Sequence, residues 1–407
     1  MTGITSVEMS REKPRRQEIY LDHSATTPLR PEVLEAMLPY LREHHGNAGS
    51  LHRFGRECRH AVETAREQVA ALINAEPCEI LFTSGGTESD NLAIRGIVEA
   101  GDRTAKRLVT TAMEHHAVLH LCESLARANR VDLQVAGVDR EGLVDPDAVE
   151  ELLDDDTVLV SVMHANNETG VVQPIERVGT LCQKRGVPFH SDTVQSVGKL
   201  PIDVRKLPLD LAAISGHKLH GPKGIGALFV RSGTSLEPQA LGGAQERGRR
   251  SGTENVAGIV GLGRVCELLR GELQDVSKRM AGLRDRLQEG VLAAVPDAAI
   301  NGSTAHRLPN ILNLAFESLD GERVMFALDQ EGVAVSTGSA CTAGSLDPSH
   351  VLLAMGQSHE RASSAIRFSL GRDNTGEEID RAISLLPGLM EQLREKPDGF
   401  LAEDRPV

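Results

Sequence analysis

The chain has 407 residues, a formal net charge of −14, an ordinary hydrophobic content, no tryptophan and few other aromatic side chains. That length suits one large domain plus a smaller one, and an acidic balance spread along the chain without a basic stripe speaks against nucleic-acid binding. The opening stretch MTGITSVEMSREKPRRQE lacks the apolar core of a signal peptide, no apolar run approaches the ~20 residues of a membrane helix, and the scattered cysteines form no CxxC pair, so a cytoplasmic chain with free thiols is expected.

From about Glu79 short apolar runs alternate with amphipathic stretches, the pattern of strand–helix units around a mostly parallel sheet covered on both faces. The runs EILFT, RLVTT, DLQVA, TVLVSV, VPFHS, LAAIS and GALFV are the expected strands, with helices such as ESDNLAIRGIVEA and IERVGTLCQKR between them. After a polar Gly/Arg segment, LGGAQERGRRSGTEN, a long helix is expected from about Val256 to Ala294. Beyond it the pattern reads strand (NILNLAF), helix (GERVMFALDQ), a small-residue loop, strand (AIRFSL) and a last helix from Glu377. The expected fold class is therefore α/β: a large domain on a mostly parallel seven-stranded sheet, and a smaller α+β C-terminal domain.

Several residues along this frame suit chemistry. In FTSGGTESDN the glycines Gly85 and Gly86 precede a helix opening with Thr87 and Glu88, a backbone anion cradle or an ordinary strand–helix turn. Lys218, in AAISGHKLHGPKG, lies just past a strand, where desolvation and nearby positive charge favour Schiff-base chemistry, unless it is a plain surface lysine. Asp192 ends a strand expected to be buried and needs either a cationic partner, such as a pyridinium nitrogen, or a helix to cap. MEHHAVLH holds His115, His116 and His120; HExxH is missing, so ring stacking on a flat cofactor or a plain loop histidine fits better than a metal site, and no metal is expected. Asn166 and Asn167 follow a strand and either meet a ligand or form an Asx turn. Arg367, flanked by apolar residues, requires an anion: a substrate carboxylate or a protein acid. Cys341 sits in STGSACTAGS, a loop with no bulky side chain.

Taken together, SGHKxxGPKGIG, RSGTEN and GSACxxG, in this order, closely resemble the cysteine desulfurases of the NifS/IscS type, in the class V aminotransferase group, from IYLDHSATTP to the final helix. The resemblance implies a pyridoxal 5'-phosphate enzyme of fold type I, a homodimer with its active site at the subunit interface. It implies that Lys218 carries the cofactor, that His115 stacks on its ring, that Asp192 pairs with the ring nitrogen and that Gln195 bonds the ring hydroxyl. Gly86, Thr87, Ser215 and His217 would hold the phosphate, with Thr253 reaching it from the other subunit. Asn167, at the edge of the cofactor, and Arg367 would grip L-cysteine, and Cys341 would take its sulfur as a persulfide, leaving alanine. A sulfur-acceptor or scaffold protein, for iron–sulfur assembly or another pathway, is implied, and Cys341 would meet any cluster during delivery. The nearest alternative is a selenocysteine lyase or another lyase of the same group.

The domain expectation is an N-terminal segment (1–26) packing with the small domain, a large cofactor domain (27–270) and a small domain (271–407) bearing the cysteine loop. Two departures from the family pattern stand out. Ala48-Gly49 replaces an expected Pro-Ser or Pro-Ala, and the C-terminal tail does not match the tail with which well-known members dock a scaffold.

Overall fold

The computed structural model describes residues 18–100, 106–338 and 347–395. Strand β1 (Ile19–Tyr20) comes first, and then β2 (Ile80–Thr83), β3 (Arg107–Thr111), β4 (Asp132–Ala136), β5 (Thr157–Ser161), β6 (Phe189–Asp192), β7 (Leu211–Ser215) and β8 (Gly226–Val230). The later strands are β9 (Ala298–Ile300), β10 (Ile311–Phe316), β11 (Val333–Ala334), β12 (Ser336–Thr337) and β13 (Ala365–Ser369).

Strands β2 to β8 form one seven-stranded sheet in the order β2-β8-β7-β6-β5-β3-β4, and all seven expected strands are present. Only β8 is reversed relative to the other six strands, being antiparallel to both β2 and β7. Every residue of β2, β6, β7 and β8 is buried, which is why these strands are apolar runs rather than alternating ones: helices cover both faces. Since the parallel strands all point one way, their carboxyl ends line a single edge, the place where open α/β sheets bind ligands.

The second sheet, β12-β13-β10-β9, is antiparallel. Its strand β12 corrects the expectation of a loop from Ser336 onward, because Ser336 and Thr337 pair with Arg367 and Ile366. No apolar periodicity marks so short and polar an edge strand, so only its partner reveals it. The segment Ser339–Leu346, which includes Cys341, lies outside the described residues, as does the tail after Glu395.

The expected long helix spans Val256–Ala294. Its first half buries Ile259, Leu262, Val265, Cys266 and Leu269 in the core of the large sheet; its last turns bury Leu287 and Val291 in a separate core with Phe316 and Phe368. At 39 residues and 1.5 Å per residue it is roughly 58 Å long, enough to serve both cores. Ile19 and Leu21 join the second core, with β1 parallel to β11 and Leu21 fully buried. The helices Pro31–Arg42 and Arg53–Ile73 precede the first periodic pattern read from the sequence.

Candidate active site

Five of the singled-out motifs leave the sheet at its carboxyl edge. Thr83 ends β2 and is followed by Ser84, Gly85 and the helix Gly86–Glu99. Glycine is required here by close approach: a Cβ at Gly86 would stand 2.8 Å from Val194 Cγ2, and one at Gly226 would stand 2.7 Å from Gly85 Cα. The open backbone of the helix start thus packs directly beside Val194 and Ser215.

On the neighbouring strands, Asp192 is the last residue of β6 and Ser215 the last of β7, with Lys218 three residues beyond. Lys218 Nζ donates to the carbonyls of Ser24 and of Ala25 (2.8 Å), and Gln195 Nε2 donates to the same Ser24 oxygen (3.1 Å). His217 is tied down from the same direction, its carbonyl accepting from Thr27 N and Oγ1 at 3.0 and 2.9 Å. The segment Asp22–Thr27 therefore roofs the lysine, a role that sequence reading missed because these residues carry no local signal beyond the family match.

Burial sets the electrostatics. The Asp192 carboxyl is pushed up to about 6 by burial, against the opposing pull of the Val194 amide, which donates to its Oδ1 at 2.9 Å, and of Lys218. Behind it Asp90 and Glu114 are buried and raised too, Glu114 to about 8, both chiefly by desolvation. Asp90 Oδ1 lies 3.4 Å from His190 Nε2, yet burial drives His190 down to about 3, so the two do not form an ion pair. His115 caps the helix His116–Arg127, its Nδ1 accepting from Ala117 N at 3.1 Å, so the neutral ring carries its proton on Nε2. It stays neutral because burial and then the Lys218 charge lower it to about 4. Lys199, a further residue missed from sequence, is buried with Nζ 3.3 Å from the Lys218 carbonyl, and burial, then Lys218, lowers it to about 7.

The remaining residues divide. Asn166 is structural, with Oδ1 accepting from Glu168 N and Thr169 N, as in an Asx turn, while Asn167 presents its carbonyl to Arg367 Nη1 at 3.1 Å. Arg367 is 1% exposed, and its Nη2 pairs with Asp22 Oδ1 at 2.7 Å, so a protein acid already supplies the anion that the sequence demanded. His116 stacks on His120 at 4.4 Å and lies 4.6 Å from His350; among the described residues no group of three or more such side chains suits a metal ion. Thr253 is exposed and lines a cleft of about 100 Å³ with Ser84 and Arg250.

The residues present fit pyridoxal phosphate. Ser215 Oγ and Gln195 Oε1 are buried without a partner among the described residues, Gly86 leaves backbone open at a helix start, and Asp192 is a buried acid suited to a cationic partner. Residues 19–382 match the Aminotransferase class-V family, and the chain belongs to it. Its curated relatives include a cysteine desulfurase IscS of Methanosarcina thermophila, 46% identical over 96% of both chains. Another is a cysteine desulfurase of Trichormus azollae, 48% identical over 92% of this chain and 94% of its own length. Among solved structures, a NifS-like protein superposes with a TM-score of 0.87 at 38% identity over 93% of this chain and all of that one. SspA in complex with cysteine gives 0.78 at 35% identity over 88% of this chain and all of its own. Within the family the chain thus falls among the cysteine desulfurases of the NifS/IscS type.

Proposed function

We propose that the chain is a pyridoxal 5'-phosphate-dependent cysteine desulfurase, releasing L-alanine from L-cysteine and keeping the sulfur as a persulfide on Cys341. The observation that carries this reading is the convergence of Lys218, Asp192, His115 and the Gly86 helix start at one sheet edge, in a chain whose relatives bear that name. When bound, pyridoxal phosphate supplies a carbonyl for amines and an electron sink. Lys218 Nζ anchors the cofactor and takes the proton from the substrate α-carbon. The amides of Gly86 and Thr87, with Ser215 Oγ and His217, hold the phosphate. Asp192 would pair with the ring nitrogen, whose positive charge would keep the raised carboxyl ionised. Gln195 Oε1 would be free to bond the ring hydroxyl, and the neutral His115 would stack on the ring face. Arg367 and Asn167 orient the substrate carboxylate.

The Cys341 thiolate then attacks the substrate sulfur: an S–S bond forms, the Cβ–S bond breaks, and the carbon gains a proton. Two thiols become one persulfide and one alanine, with no added oxidant. We further infer a cytoplasmic homodimer in which the partner's Thr253 completes the phosphate site. The chain divides into an N-terminal segment (1–26) packing with the small domain, a large domain (27–270) and a small one (271–407), and the sulfur passes to a protein acceptor such as an iron–sulfur assembly scaffold. Among the described residues no helix is long and apolar enough to cross a membrane.

The decisive experiment is mass spectrometry of the cysteine-treated protein. One added sulfur atom on Cys341, with stoichiometric alanine and loss of both products in Cys341→Ser, is the expected result. Cofactor-loaded protein that releases no alanine from cysteine would sink the proposal.

A further inference from the structure

The segment from Ala244 to Asn255 is held with unusual firmness. Ala244, Glu246 and Arg247 all have positive φ (59°, 46° and 57°), a conformation that non-glycine residues keep only where surroundings over-determine it. Three fastenings do so. Glu246, buried, accepts from Arg66 Nη1 and Nη2 at 2.8 and 2.9 Å and from Phe82 N at 2.9 Å. Gln245 Oε1 accepts from Gly252 N at 2.9 Å. Arg250 grips Glu88 with both ends of its fork, Nε to Oε1 at 2.7 Å and Nη2 to Oε2 at 3.2 Å.

The last fastening is the informative one, because Glu88 belongs to the cradle. It is the third residue of the helix Gly86–Glu99, and its Oε2 also accepts from Ser84 N at 2.7 Å. Thr253, three residues beyond Arg250, is nonetheless exposed. The loop is thus fixed to the cradle of its own chain while Thr253 stays exposed at its end.

We infer that Arg250 is a positioning residue acting in trans: by clasping Glu88 it bolts the loop to the cradle of its own subunit and so aims Thr253 at the cofactor phosphate of the partner. The inference rests on the functional reading above and deepens it, since the ion pair joins one phosphate site mechanically to the other. Bidentate geometry matters because a single contact leaves the loop free to pivot.

The test is cofactor retention, read as the visible absorbance of lysine-bound pyridoxal phosphate during dialysis, with dimer content followed by light scattering. Arg250→Gln is expected to weaken retention about tenfold as a homodimer, the worth of one charge-assisted contact, and Arg250→Lys to fall between it and the wild type. In a mixed dimer of Arg250→Gln with Lys218→Ala, only the site bearing Lys218 gives the signal. That site takes its Thr253 from the subunit with the intact loop, so wild-type retention is expected. Retention as weak as in the Arg250→Gln homodimer would place the effect in cis, on the subunit's own cradle, and overturn the inference; so would unchanged retention in that homodimer. A wild-type chain that takes up no pyridoxal phosphate would overturn the functional reading and the inference together.

Discussion

Two arginines are almost equally buried, Arg66 at 3% and Arg367 at 1% exposure, and they are treated oppositely. Arg66 is saturated: Nε reaches Glu63, Nη1 the Ile80 carbonyl and Glu246, Nη2 the other Glu246 oxygen, and the guanidinium lies 4.7 Å over the Phe82 ring. Arg367 has one carboxylate oxygen and one carbonyl, and its Nε has no partner among the described residues. A buried charge whose donors are all used fastens structure. Arg367 keeps one donor unused beside an acid that is itself partly exposed, which is the feature that the proposed role on the substrate carboxylate draws on.

The contrast can be broken most forcefully at Arg66. Arg66→Ala leaves Glu246 buried and unpaired, and denaturant unfolding is expected to show a loss of about 3–5 kcal/mol; a loss below about 1 kcal/mol would mean that the pair is no anchor. Arg367→Lys should behave in the opposite manner. It keeps the charge near Asp22 but loses the fork, so kcat/KM for L-cysteine should fall about a hundredfold, roughly 2.7 kcal/mol, while the unfolding free energy stays near the wild-type value. If stability falls and kcat/KM does not, the two arginines have been assigned the wrong way round.

Glu114 sharpens the same point among the acids. Its Oε1 accepts from Thr111 Oγ1 at 2.7 Å and Met163 N at 2.9 Å, whereas Oε2 has no partner among the described residues, and burial holds the group at about 8. Because the folded value lies above the ordinary 4.5, the native state keeps a proton that the unfolded chain releases, and stability falls as pH rises from about 5 to about 8 by up to about 1.4 kcal/mol per pH unit from this group. Glu114→Gln removes that slope. Melting curves should show the variant gaining on the wild type between pH 5 and pH 8, and a difference independent of pH would exclude a protonated Glu114.

How much was legible follows from the range of each interaction. The seven strands of the main sheet, the long helix and the glycine-marked cradle were readable because buried parallel strands are local apolar runs and glycines punctuate the chain where backbones approach closely. Lys218, Asp192 and His115 were readable as residues standing just past such runs. The roof of Ser24 and Ala25 over the lysine was not, nor was β12, whose polar residues become a strand only beside β13.

By itself, then, the sequence determined the succession of elements and the chemical types standing at one sheet edge, since both depend on neighbours along the chain. Which acid meets which base was decided by the tertiary structure alone. Asp22 joins Arg367 across 345 residues, Glu246 joins Arg66 across 180 and Arg250 joins Glu88 across 162, and no local propensity encodes partners so distant. Those pairings also set how each guanidinium is used: Arg66 has its donors engaged by protein acceptors, whereas Arg367 keeps its Nε unused among the described residues.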